Sequence, residues 1–114
     1  MASIVILSED RLYSGLVVRH LEAQGYQANI YLLNQQKPLS FQASPSTSDV
    51  SLWIMDMAWF EESREPVYAE LANWCTHLYQ PSILLLDTSW GYSHVQAFHA
   101  TAILTKPFGM DRLL

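Results

Sequence analysis

The segment VSLWIMD, residues 50–56, joins a nearly continuous apolar run to a terminal aspartate. A run of this length and composition is typical of a strand that is buried on both faces of a parallel sheet. Comparable short runs lie elsewhere along the chain, at 3–7 (SIVIL), 28–33 (ANIYLL), 82–86 (SILLL) and 101–104 (TAIL). The sequence therefore predicts five strands, of which this segment is the third.

Apolar residues at helical spacing follow the first and third strands. The first helix is predicted to end near residue 24, before Gly25, with an apolar face formed by Leu12, Leu16, Val17 and Leu21. The second is predicted over 65–78, with Ser63 as N-cap, Pro66 in its first turn, and a stripe of Val67, Leu71, Trp74, Cys75 and Leu78. A weaker pattern at 92–98 predicts a short helix. Strands alternating with helices predict an α/β fold with a parallel sheet.

Length and composition exclude several classes of protein. The chain has 114 residues, 50% of them hydrophobic, and a net charge of −5, which suits one folded domain. This acidic balance disfavours binding to nucleic acid or to an anionic membrane. The single Cys75 excludes an intrachain disulfide framework, and no apolar run approaches the ~20 residues of a membrane span. With no secretory signal pattern, we expect a cytoplasmic location.

Charged and hydroxyl side chains follow the strands, at the edge where parallel sheets bind ligands. They are Glu9 and Asp10 after the first strand, Asp56 after the third, Asp87 and Thr88 after the fourth, and Lys106 after the fifth. Clustered carboxylates repel one another unless a cation such as Mg²⁺ neutralises them. A carboxylate is also a known nucleophile toward phosphorus, and a lysine can bind a phosphoryl oxygen. This pattern predicts a magnesium-dependent phosphoryl site around Asp56.

In their order and context these motifs resemble the receiver domains of two-component response regulators, including the chemotaxis receivers. IVILSEDRLYSGLVVRHLEAQGY (4–26) is similar to the first strand and helix of that family, with Glu9 and Asp10 as its acid pair. LWIMDM (52–57) places Asp56 at the phosphoacceptor position, and AILTKPF (102–108) places Lys106 and Pro107 at the Lys-Pro pair. The resemblance covers nearly the whole chain.

The resemblance implies a flavodoxin-like, doubly wound, five-stranded parallel sheet in the order 2-1-3-4-5. It also implies one receiver domain over residues 1–114, which could have been excised from a longer response regulator. The stretch 34–48 lacks a convincing second helix, and the chain after Pro107 is too short for a full last helix. We therefore expect a weak second helix and a truncated last helix.

The family roles carry over to named positions. Asp56 would accept a phosphoryl group from a histidine kinase or phosphotransfer protein, and Glu9, Asp10, Asp56 and the backbone carbonyl of Met57 would bind Mg²⁺. Thr88 and Lys106 would contact the phosphoryl group and couple it to an output surface. Pro107 is a candidate for a cis peptide bond. An effector domain or a second receiver would be a further partner, and no enzymatic turnover of another substrate is expected.

Three departures from the family pattern affect this interpretation. Asp87 precedes Thr88, so either residue can occupy the switch position. Ile103 stands where the family commonly has an aromatic residue, and the loop after Asp56 carries Trp59 in place of a Pro-Gly turn. These features favour an alternative, a degenerate pseudo-receiver that binds partners independently of phosphorylation.

Two other classes fit the sequence less well. A haloacid-dehalogenase-like phosphatase needs a second aspartate two residues after the nucleophile, but Asp56 is followed by Met57 and Ala58. A flavodoxin-like cofactor protein would place Glu9 and Asp10 against a phosphate, and the chain has no glycine-rich phosphate loop.

Overall fold

The computed structural model of the protein describes residues 3–32, 50–78 and 80–106. Five strands form one parallel sheet in the order β2-β1-β3-β4-β5: β1 (Ser3–Ser8), β2 (Gln27–Leu32), β3 (Leu52–Asp56), β4 (Ser82–Leu86) and β5 (Ala102–Thr105). The helices are α1 (Arg11–Ala23), a short 3-10 helix (Glu62–Arg64), α2 (Glu65–Cys75) and α3 (Tyr92–Gln96). The predicted α/β class and strand order are confirmed.

The core has two halves, one on each face of the sheet. Successive side chains of a strand point to opposite faces, so Ile4 and Ile6 pack on the α1 side while Val5 and Leu7 pack on the α2 side. Trp53 and Cys75, both predicted to be core residues, are buried on the α2 side. Burial on both faces explains why β1 and β3 are almost continuously apolar.

The predicted apolar face of the first helix is wrong at two positions. Leu12 and Leu16 are 86% and 55% exposed, whereas the buried residues of α1 are Ser14, Val17 and Leu21. The spacing of these three residues places them on one stripe. A serine is tolerated on this buried stripe because its hydroxyl is hydrogen-bonded beneath the helix, and the buried face is therefore centred on Ser14, Val17 and Leu21 and not on Leu12 and Leu16.

Two details at the helix ends differ from the sequence prediction. Ser63 lies inside the 3-10 helix, and the N-cap of α2 is Arg64, which makes no side-chain capping bond. Pro66 is in the first turn of α2 as predicted, and α2 ends at Cys75. The stretch 34–48 and the chain from Pro107 onward, including the expected last helix, lie outside the described residues. No helix in the described ranges is long and apolar enough to cross a membrane.

Two glycines of the α1 region provide a matched test of this geometry. Gly25 follows α1 with φ of +94°, which disfavours any residue with a Cβ, whereas a Cβ on Gly15 in the helix interior meets no atom within 4 Å. We expect Gly25→Ala to lower the free energy of unfolding by about 1 kcal/mol and Gly15→Ala to raise it by about 0.5–1 kcal/mol. Urea denaturation measures both. A Gly25→Ala variant as stable as Gly15→Ala would contradict this helix ending.

Candidate functional site

Asp56 ends the middle strand of the sheet and is completely buried. Its carboxylate has two partners, because Ser14 Oγ donates a hydrogen bond to Oδ2 and Lys106 Nζ forms an ion pair with Oδ1. Burial raises the pKa of Asp56 above its usual value, and the hydrogen bonds from Lys106 and Ser14 oppose that rise. At the carboxyl end of β3 the structure thus places a carboxylate whose pKa is raised by burial and lowered by its two partners.

A pair of buried serines supports this carboxylate and was not identified from the sequence. Ser14 Oγ lies 2.7 Å from Ser8 Oγ, and Ser8 Oγ in turn accepts a hydrogen bond from the backbone N–H of Asp10 at 3.0 Å. Ser8 and Ser14 are both fully buried. The spacing of Ser14 with Val17 and Leu21 was the available signal, since a serine on a buried stripe needs a polar partner.

Lys106 brings the end of β5 to the same place. Its backbone N–H continues the pairing with β4 by donating to the carbonyl of Leu86 at 2.7 Å. Besides Asp56, its Nζ donates to the carbonyl oxygen of Met57 at 2.9 Å and contacts Asp10 Oδ2 at 3.4 Å. The ammonium therefore contacts oxygens of three of the four residues predicted to bind Mg²⁺.

The remaining predicted ligand, Glu9, is paired with an arginine that belongs to none of the sequence motifs. Arg64 Nη1 forms an ion pair with Glu9 Oε2, and Glu9 Oε1 accepts a hydrogen bond from the N–H of Ala58 at 3.3 Å. The two side chains are only 13% and 3% exposed. Nothing in the sequence near Arg64 signals this contact, because the arginine lies in a short 3-10 helix far along the chain from Glu9.

Asp10 caps a helix with one carboxylate oxygen and contacts Lys106 with the other. Its Oδ1 accepts a hydrogen bond from the N–H of Tyr13 at 3.1 Å and so caps the start of α1. Its Oδ2 is the atom near Lys106. In the described ranges, no group of three or more His, Cys, Asp or Glu side chains is arranged to hold a metal ion. The predicted magnesium site thus stays a prediction.

The loop after β3 is held by side chains in place of a Pro-Gly turn. Trp90 Nε1 donates to the carbonyl of Ala58 at 2.9 Å, and Ser89 Oγ accepts from the N–H of Phe60 at 2.8 Å. Trp90 is buried against Phe60 and Tyr68, with ring centroids 5.1 and 4.6 Å away, so it belongs to the core. Trp59 is 66% exposed, so most of its side chain lies in solvent and not in the core.

Asp87 and Thr88, in the loop after β4, occupy different environments. The last paired residues are Leu86 and Thr105, so the next position places Asp87 opposite Lys106, while Thr88 is exposed in a turn. Asp87 Oδ1 accepts hydrogen bonds from the N–H and hydroxyl of Ser89. A phosphoryl contact by Thr88 stays a prediction. Ile103 is 47% exposed on β5, and Pro107 lies outside the described residues.

Comparison with known structures places this fold among receiver domains. The chain is similar to a response regulator receiver protein from Burkholderia phymatum, with 17% identity and a TM-score of 0.73, over 99% of this chain and 89% of that one. A receiver domain protein from Clostridium thermocellum is 18% identical with a TM-score of 0.70, over 99% of this chain and 88% of that one. The receiver domain of a Francisella response regulator is 14% identical with a TM-score of 0.67, over 99% of this chain and 90% of that one.

At these identities the likeness shows the fold, and the resemblance that the motifs predicted is confirmed at that level. No family model matches the sequence, and no curated protein matches it significantly. The chain therefore has the receiver-domain fold, with Asp56 at the end of its middle strand.

Removing the ammonium group of Lys106 beside Asp56 should lower the free energy of unfolding by an amount that depends on pH. Because burial raises the pKa of Asp56 in the folded state, folding favours the protonated acid, and this stabilisation disappears as pH rises through the folded-state pKa. Lys106→Met makes that rise larger. We expect it to lower the free energy of unfolding by about 3 kcal/mol near pH 7 and by clearly less near pH 4, measured by urea denaturation without divalent cations.

The matched control for this prediction is the same substitution in an Asp56→Asn background. There the amide does not titrate, so the cost of Lys106→Met should differ much less between the two pH values than it does with Asp56 intact. A cost that is independent of pH with Asp56 intact would show that Lys106 does not act through this carboxylate.

Proposed function

We propose that the chain is a receiver domain that accepts a phosphoryl group on Asp56 from a histidine kinase or a phosphotransfer protein. The observation that carries this proposal is a fully buried carboxylate at the end of the middle strand, contacted by a lysine from β5, within a receiver fold. The exchange is with a signalling partner and no other substrate is turned over. A cytoplasmic location fits the kinase partner and the single unpaired Cys75.

The proposed transfer uses the contacts around Asp56. Asp56 Oδ1 attacks phosphorus, the P–N bond of the phosphohistidine breaks, and its electron pair returns to the imidazole nitrogen. Lys106 must leave Oδ1 before the attack, and its ammonium then binds an oxygen of the aspartyl phosphate. Ser14 continues to orient the carboxylate through Oδ2.

The oxygens around Lys106 fit the hard cation that receiver folds imply. Asp10 Oδ2, Asp56 Oδ1 and the carbonyl oxygen of Met57 all contact one nitrogen, so they surround one point. Carboxylate and carbonyl oxygens are the ligands that Mg²⁺ prefers, with water completing its shell. When bound, Mg²⁺ would neutralise charge on the phosphoryl oxygens. For the ion to bind there, Lys106 has to move from this point.

A phosphoryl group on Asp56 would act on the two loops beside it. It adds about −1.5 to −2 units of charge next to Lys106, Met57 and Ala58. The loop of Ala58 is bound to the loop after β4 through Trp90 and Ser89. A change at Asp56 would therefore reach both loops together, and their surface is the proposed contact for an effector domain or a second receiver.

A second candidate function is the degenerate pseudo-receiver. It is favoured by the chain's own cations, since Lys106 and Arg64 offset most of the charge of the carboxylates of Glu9, Asp10 and Asp56, which we call the acid pocket. It is also favoured by Asp87, which directly follows the last residue of β4 that pairs with β5. In that case partner binding would be unchanged by a phosphodonor.

Intact mass spectrometry with acetyl phosphate and Mg²⁺ tests the leading proposal. We expect an adduct with the mass of one phosphoryl group on the wild-type chain and none on Asp56→Asn, which keeps the size of the side chain and removes the nucleophile. Asp87→Asn is the matched control, because it removes a neighbouring carboxylate and leaves the acceptor in place. No adduct on the wild type, or an adduct that persists in Asp56→Asn, would contradict the proposal.

A further inference from the structure

The guanidinium of Arg64 lies against the acid pocket, although the proposed transfer assigns it no role. Arg64 ends the 3-10 helix that follows the β3 loop, and its Nη1 forms an ion pair with Glu9. Both side chains are largely removed from solvent, so dissolved salt screens their attraction weakly. Such a pair competes effectively with any other cation for the same carboxylate.

The chain nearly balances the charge of this pocket by itself. Three carboxylates, those of Glu9, Asp10 and Asp56, lie with the cations of Arg64 and Lys106, which leaves one net negative charge. Removing Arg64 would leave two, and Glu9 would become an uncompensated, almost buried carboxylate. The attraction for a divalent cation would then increase sharply.

The guanidinium of Arg64 is not fully hydrogen-bonded where it contacts Glu9. Its Nη2 is buried and has no hydrogen-bond partner among the described residues, so the ion pair leaves one donor unsatisfied. Its guanidinium carbon also lies 5.6 Å from the ring centroid of Tyr68. A side chain that releases Glu9 can keep this cation–π contact.

We propose that Arg64 is an internal counter-ion that competes with a divalent cation for Glu9 and so lowers the affinity of the acid pocket for Mg²⁺. The inference rests on the proposed function in one respect, since it assigns a regulatory, positioning role at the same site. Glu9 Oε1 also accepts a hydrogen bond from the N–H of Ala58, a contact that does not involve Arg64. Loss of Arg64 would therefore leave the Glu9 carboxylate attached to the loop after β3 through Oε1, with Oε2 free to bind a cation.

The test is a titration of the whole chain with Mg²⁺ alone, at constant ionic strength and without phosphodonor. Tryptophan fluorescence reports binding, because the indole N–H of Trp90 is hydrogen-bonded to the carbonyl of Ala58 and the N–H of Ala58 is hydrogen-bonded to Glu9. We expect Arg64→Gln to bind Mg²⁺ about tenfold more tightly than the wild type. Arg19→Gln is the matched control, since it makes the same charge change on the exposed face of α1 and should leave the affinity unchanged.

The proposal is overturned if Arg64→Gln binds Mg²⁺ no more tightly than the wild type, or if Arg19→Gln shows the same gain. Because Arg64→Gln leaves the buried carboxylate of Glu9 without a counter-ion and can prevent folding, circular dichroism is recorded without and with Mg²⁺. A variant that folds only with Mg²⁺ supports the proposal. If Arg64→Gln does not fold in either condition, Arg64→Met decides in its place, since it keeps an apolar stem beside Tyr68, and the same two outcomes apply.

This titration is independent of the phosphodonor experiment. Tighter Mg²⁺ binding by Arg64→Gln without an adduct on Asp56 would contradict the proposed function alone. An adduct on the wild type with unchanged Mg²⁺ affinity in Arg64→Gln would contradict the counter-ion role alone.

Discussion

The carboxylate of Asp56 is buried at the end of the middle strand, and the surrounding structure compensates for the cost of placing a charge there. Ionised carboxylates are strongly destabilised away from water unless they are paired and hydrogen-bonded. Ser14 from α1 supplies the hydrogen bond and Lys106 from the end of β5 supplies the charge. The buried carboxylate of Asp56 therefore requires α1 to turn Ser14 toward the sheet and β5 to end where Lys106 reaches the middle strand.

Glu9, in the loop after β1, is a second carboxylate that has to be paired because its side chain is buried. Glu9 is almost as deeply buried as Asp56, and its charge is compensated by Arg64 and by the N–H of Ala58. The loop that carries Ala58 is bound from its other side by Trp90, and Trp90 packs in the α2 half of the core. The geometry around the acid pocket is thus continuous with the core, which gives a charge change at Asp56 a physical route to both adjacent loops.

The apolar pattern alone was sufficient to predict the central strands, because the side chains of β1 and β3 are buried on both faces of the sheet. The order of the strands came from the family resemblance. It failed on α1, where the exposed Leu12 and Leu16 mimic a core face and Ser14 occupies the true one. The motifs identified Asp56 and Lys106, since Asp56 ends the buried strand β3 and Lys106 directly follows β5. Arg64 could not be found in this way. Its pairing with Glu9 depends on how the chain crosses the sheet, and no local spacing records that.

A crystal structure of the chain grown with Mg²⁺ and beryllium fluoride would test whether Asp56 is the phosphoacceptor, because beryllium fluoride mimics a phosphoryl group on an aspartate. We expect beryllium fluoride on Oδ1 of Asp56, with Lys106 moved from that oxygen onto a fluoride and Ser14 still hydrogen-bonded to Oδ2. A pocket in which Lys106 keeps its ion pair with Asp56, with neither Mg²⁺ nor beryllium fluoride bound, would contradict that role of Asp56.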